Sequence, residues 1–334
     1  MKRVLVAVAL AVSSMAFTAA PSYHLTRKIQ LGGEGGWDYL SVDAPGNRLY
    51  VSRGDHVMVV DLAANRLLGD IPNTPGVHGI AAVPELNRGF ISAGRANMAM
   101  IFDLKTLRVT GQVRTGENPD AILYDPASHR VFTFNGRSAD ATAIDAATGK
   151  VAGTIALGGK PEAAAPDGNG KIFVNIEDKS EVVEFDTRTL AVIRRFSLAP
   201  CEEPSGLGLD VIHHHVFSGC SNNLMSVLDT QSGKVIATVP IGPGVDGNGY
   251  DPASGLAFSA NGGDGTLTIA QETSPGKFTV VQTVPTARGA RTMTLNPRTH
   301  EVYLSAAEYA PRAPGATGRP TMLPNSFYVL VVGR

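Results

Sequence analysis

The chain has 334 residues, of which 43% are hydrophobic and 18% charged, with 37 glycines and 21 prolines. That hydrophobic content excludes a disordered chain, and the glycine and proline content suits many short strands joined by tight turns. A net charge of −1 and the lack of any basic run exclude a general electrostatic pull on nucleic acid or anionic lipid.

Residues 1–20 read as a secretory signal peptide. Lys2 and Arg3 supply the positive start, and Val4 to Val12 form an apolar stretch too short to span a bilayer. Small residues then allow cleavage after Ala16 or Ala20. No cysteine lies near the cut, so a lipid anchor is not expected. The expectation is a periplasmic or secreted protein whose residues 21–334 form one domain.

From there the chain repeats itself at about 42 residues. An Asp that follows an apolar strand end and opens a polar turn recurs at Asp61, Asp103, Asp145, Asp186 and Asp229. An aromatic residue in a short apolar strand recurs at Tyr50, Phe90, Phe132, Phe173, Phe217, Phe258 and Tyr303. A third marker precedes each aromatic by six or seven residues: Asp43, Asp125, Asp167, Asp210, Asp251 and Asn296, with Val83 in the second unit. Asx, often followed by proline, is the chemistry of a tight hairpin. Each unit holds four strands, and its first strand is rich in Gly and Ala, as in Gly79 to Ala82 and Ser205 to Gly208. Small side chains suit strands that crowd around an axis. The seventh unit ends without a fourth strand, and Tyr23 to Leu31 resembles the missing one. The expected fold is therefore all-β: a seven-bladed β-propeller of four-stranded antiparallel blades, the last closed by the N-terminal strand.

The segments Tyr50-Val51-Ser52-Arg53, Phe132-Thr133-Phe134-Asn135 and Phe258-Ser259-Ala260-Asn261 resemble the Tyr-Val-Thr-Asn repeat of the bacterial YVTN, or YncE-like, propellers. The turns from Asp145 to Lys150 and from Asp229 to Lys234 are similar to that family's turns. The resemblance covers essentially the whole mature chain. It implies an exported seven-bladed propeller and carries no catalytic motif with it.

Register then picks out one residue at the start of each innermost strand: Asp38, His78, Asp120, Glu162, Ser205, Asp246 and Arg291. All seven are expected at one mouth of the channel, on the top face. By fold-level analogy, propeller ligands bind there. Packed carboxylates repel one another unless a cation intervenes. One reading is thus a divalent cation site, Ca²⁺ in particular, held by Asp38, Asp120, Glu162 and Asp246 with His78 optional. The other is a solvated polar mouth in which Arg291 supplies the counter-charge. Trp37 either walls the mouth with Tyr39 or packs between blades. The proline-rich segment 306–324 reads as a lid over the top face or as an insertion, with Glu308, Tyr309, Arg312 and Arg319 as candidate ligand contacts. Cys201 and Cys220 are expected to form a disulfide in blade 5. His213, His214 and His215 read as a polar turn, because consecutive strand residues point to opposite faces.

Two functions remain open from sequence. One is a binding or scaffold protein that takes a protein or small-molecule partner on the top face. The other is a metal-dependent hydrolase or isomerase similar to the propeller lactonases, with His78 as base, although the asparagines common in such sites are missing.

Overall fold

The computed structural model describes residues 22–311 and 321–334. These residues form seven four-stranded antiparallel sheets, so the chain is a seven-bladed β-propeller. The inner strands are Leu40–Asp43 in blade 1, Val77–Val83 in blade 2, Pro119–Asp125 in blade 3 and Pro161–Pro166 in blade 4. They continue with Pro204–Asp210 in blade 5, Val245–Asp251 in blade 6 and Met293–Leu295 in blade 7. Blade 7 is composite. Its outer strand, His24–Gln30, pairs antiparallel with Tyr328–Gly333, from His24 opposite Gly333 to Gln30 opposite Tyr328. The two ends of the chain thus close the ring. Among the described residues no helix is long and apolar enough to cross a membrane.

The repeat markers each have a physical task. All seven aromatics of the second strands are buried, where they fill the wedges between blades. In the polar turns, Oδ1 of Asp61 accepts from the N–H groups of Ala63 and Ala64, and Oδ1 of Asp186 from those of Arg188 and Thr189. The Ala64 and Thr189 N–H groups lead in holding these two carboxyls below the usual range. Asp125 and Asp251 do the same work in the inner hairpins, where each accepts from a serine hydroxyl three residues on. Val83, which lacks such an acceptor, is instead followed by a 3-10 turn over Pro84–Leu86.

Inner strands touch at the backbone. A Cβ added to Gly206 would lie 2.4 Å from the amide nitrogen of Asn248 on the next blade, and one added to Gly208 would lie 2.8 Å from the carbonyl carbon of Gly249. The expected disulfide is present: Cys201 and Cys220 are bonded with their Cα atoms 5.5 Å apart. It ties the entry of blade 5's inner strand to the end of its neighbour, His215–Cys220. By loop entropy a bridge over such a span contributes roughly 3 kcal/mol. His213 and His214 are exposed in the hairpin before that strand, while His215 is buried against Phe217 and Phe278.

Gly206→Ala should therefore lower stability by about 1–3 kcal/mol through overpacking. Gly36→Ala, whose Cβ would meet nothing within 4 Å, should change it little. Paired denaturation curves check this.

Candidate functional site at the channel mouth

The start of each inner strand sets a side chain at the top of the channel. Asp38 is fixed by its backbone: its N–H donates to the Ser52 hydroxyl at 2.8 Å, and its carbonyl accepts from the Thr292 hydroxyl at 2.8 Å. Its carboxylate joins two neighbours. His78 Nδ1 lies 2.6 Å from Asp38 Oδ2 and 3.5 Å from Asp120 Oδ1. Across the mouth, Arg291 Nε donates to Asp246 Oδ2 at 2.6 Å, and its NH2 group sits 3.4 Å from Asp38 Oδ1. A continuous belt runs Asp120–His78–Asp38–Arg291–Asp246.

Glu162 belongs to a second group. Lys160 Nζ lies 2.7 Å from Glu162 Oε1 and also pairs with Glu177. Lys160 and Glu177 went unseen in the sequence because they lie in the loops beside the inner strand, outside the repeating register. Ser205 takes no part, since its hydroxyl donates to the Val245 carbonyl at 3.1 Å.

Tyr39 closes the floor. It comes from blade 1 but packs against the core cluster of blades 3 and 4, so its ring crosses the axis. Burial raises its hydroxyl well above the usual range, helped by the charges of Asp120, Glu162, Asp246 and Asp38. Around and below the ring lies a cavity of about 170 Å³ lined by Gly79, Ala121, Ala164, Gly206 and other inner-strand residues.

Trp37 lies between blades. It packs 5.2 Å from Phe327 in the core between blades 7 and 1, and 6.4 Å from Tyr309. Tyr309 lies over the loop that leads to Arg291, with its hydroxyl 2.8 Å from where a Gly289 Cβ would sit. Glu308 turns outward and pairs with Lys28 at 3.2 Å, at the rim of blade 7 rather than over the mouth. The base of the 306–324 segment is a short ladder, with Ala310 donating to Thr321 and Leu323 to Glu308. Arg312 and Arg319 lie outside the described residues.

The electrostatics follow from enclosure. Burial first, then nearby acids, raises Asp120 to about 6, with His78 working against the shift. Burial and the Asp120 charge raise Glu162 to about 8, with Lys160 opposing. Burial also leads in raising Asp246, against Arg291. For His78, burial disfavours the charged ring, yet the Asp38 hydrogen bond and the charges of Asp120 and Asp38 win and raise it. Asp38, His78 and Asp120 each present one donor atom, all within 4.8 Å of one another, a spacing able to hold a metal ion.

No family model matches the chain, and no curated protein matches it in sequence. Among solved structures, the chain is similar to hydrazine synthase of Kuenenia stuttgartiensis, with a TM-score of 0.73 and 14% identity over 82% of this chain and 94% of that one. At that identity the likeness establishes the fold alone.

The raised carboxyls have a consequence for stability. A carboxyl raised on folding stabilises the native state fully below its unfolded value and loses that contribution as pH rises through its folded value. Without an added cation, the contributions of Asp120 and Glu162 should therefore fade between about pH 4 and pH 8. Glu162→Gln should flatten the decline of Tm between pH 6 and pH 9, as read by a thermal melt series. An unchanged slope would contradict these electrostatics.

Proposed function

We propose that this chain is an exported binding protein that takes a cationic ligand on its top face, in the mouth bounded by Asp38, His78, Asp120, Glu162, Asp246 and Arg291. Membership of the YVTN, or YncE-like, propellers is part of the same reading and rests on the repeat residues given above. The observation that carries the proposal is a charge imbalance. Five carboxylates, of Asp38, Asp120, Glu162, Glu177 and Asp246, meet only Lys160, Arg291 and an imidazole. Like charges in an enclosed site either hold protons or recruit a cation. Seven blades hold these groups rigidly, which lowers the ordering cost of binding. Trp37 and Tyr309 add aromatic surface at one side of the mouth, suited to the apolar part of an organic cation or to a protein partner. Export is supported by the signal-like first twenty residues and by the Cys201–Cys220 disulfide.

The donor set of Asp38, His78 and Asp120 favours a second reading, a metal-dependent hydrolase similar to the propeller lactonases. Glu162 and Asp246 are engaged by Lys160 and Arg291, whereas Asp38, His78 and Asp120 chiefly face one another, with Arg291 reaching only one oxygen of Asp38. A mixed oxygen and imidazole set suits Mn²⁺ or Zn²⁺ as well as Ca²⁺. Such an ion would polarise a carbonyl or activate water.

The two readings share one test. Ca²⁺, Mn²⁺, Zn²⁺ and putrescine are screened by thermal shift at pH 5.5 and 8.5. Protons compete with cations at Asp120 and Glu162, so a stabilising cation should act more strongly at pH 8.5. At 100 times its dissociation constant it should add about 2.7 kcal/mol. Asp120→Asn should reduce the shift at least tenfold in apparent affinity. No shift from any cation at either pH contradicts the proposal. Turnover of a simple aliphatic lactone that requires the stabilising metal would decide for the hydrolase.

A further inference from the structure

The seam between blades 7 and 1 holds a charge that the mouth does not use. Arg53 ends the second strand of blade 1, Arg48–Arg53, and is fully buried. Its guanidinium lies over the Phe327 ring at 3.8 Å. One nitrogen, Nη2, donates to the Glu34 carbonyl at 2.9 Å and reaches the Gly32 carbonyl at 3.5 Å. Nε and Nη1 are buried without an acceptor, and among the described residues no carboxylate pairs with the group. Burial draws its pKa down to about 10.

Other charges of the fold are treated differently. The fully buried carboxylate of Glu184 is held by Lys171 at 2.6 Å and Arg194 at 2.9 Å, and Glu301 by Arg27 at 2.7 Å. Arg53 has carbonyls and an aromatic face, which satisfy donors and part of the field. They do not neutralise a unit charge taken out of water. Water would satisfy the idle N–H groups but leave that charge in place.

A second idle donor belongs to a side chain packed on the same ring. Trp37 Nε1 is buried without an acceptor, and its ring packs on the same Phe327, 5.2 Å away. Against Arg53 passes the strap Gly32-Gly33-Glu34-Gly35-Gly36, which leads directly into Trp37. Gly32, Gly33 and Gly35 have φ of 68°, 75° and 93°, a region that L side chains rarely adopt. The strap is pinned at its start, where Gly32 N donates to the Phe327 carbonyl and Gly33 N to Asn325 Oδ1. Residues 34–36 are exposed. The strap is thus held at Gly32, at Gly33 and, through Arg53, at Glu34, and the exposed Gly35 and Gly36 are the stretch at which a small solute would enter.

We propose that Arg53 and Trp37 form an enclosed site for one small monovalent anion, of chloride or formate size, beneath the glycine strap at the seam where the ring closes. One guanidinium calls for one negative charge, and full enclosure excludes larger anions. Three idle donor nitrogens of two kinds supply the hydrogen bonds. The bound anion would hold the strap to blade 7 and so stabilise ring closure.

The test uses the full chain at constant ionic strength. Sodium gluconate, too large for the site, is replaced stepwise by sodium chloride or by sodium formate. In the native protein either replacement should raise Tm by about 2–6 °C and then saturate. Arg53→Met, which keeps the length and drops the charge, should abolish the rise. Trp37→Phe, which keeps the ring and drops the donor, should raise the half-saturating concentration several-fold. Should Arg53→Met fail to fold, crystals soaked in sodium bromide decide, because the anomalous signal should place an ion within hydrogen-bonding distance of Arg53. A native protein indifferent to anion identity, an undiminished rise in Arg53→Met, or no anomalous peak at the seam overturns the proposal. So does a native Tm that ignores anions but falls on Glu34→Gln, since Glu34 itself would then be the counter-charge.

Discussion

Everything in this molecule depends on closing a ring of seven sheets with a strand from the other end of the chain. The pairing of His24–Gln30 with Tyr328–Gly333 fixes the circumference. Once that is fixed, seven inner strands must share one axis. Crowding then dictates chemistry by depth. Within the channel, Gly206 and Gly208 approach the next blade so closely that no side chain fits. At the mouth the inner strands begin with charged side chains that pair with one another across the opening. The same constraint that demands small residues inside also gathers Asp38, His78, Asp120, Asp246 and Arg291 into one belt.

Gathering them has an electrostatic cost, which the molecule offsets in two ways. Permanent cations take part of the load, as Arg291 does between Asp38 and Asp246. Protons take another part, foremost at Glu162, which burial and the Asp120 charge raise to about 8. A group that holds a proton because no better cation is present is a group ready to exchange it. Tyr39 strengthens this by laying its ring across the channel floor, where it packs against the core of blades 3 and 4. The seam reverses the sign of the problem. There a single buried guanidinium lacks a carboxylate, and the strap above it is made of the residues that move most easily.

The architecture was legible in sequence because each blade repeats the same local solution. An Asp that caps a polar turn, an aromatic that fills the wedge and an Asx that starts the inner hairpin are short-range needs, and short-range needs leave periodic marks. The mouth residues could be named for the same reason, since register alone carries them to the axis. Pairing could not be read. That Arg291 would take Asp246 and Asp38 while Lys160 took Glu162 depends on loop paths with no period. Lys160 and Glu177 fall outside the register altogether, and Arg53 looks like one more degenerate repeat residue until the strap above it is seen. Glu308 shows the opposite failure: its place in a long loop suggested the mouth, yet Lys28 on the outer strand draws it to the rim.

The most direct measurement is a carboxyl NMR titration of the mouth, with and without the cation that stabilises the protein best. Two carboxyls, assigned by Asp120→Asn and Glu162→Gln, should titrate near pH 6 and pH 8 in the free protein, and both should move to lower pH when the cation is bound. Two carboxyls that titrate near the ordinary value of about 4, unmoved by any cation, would contradict the account.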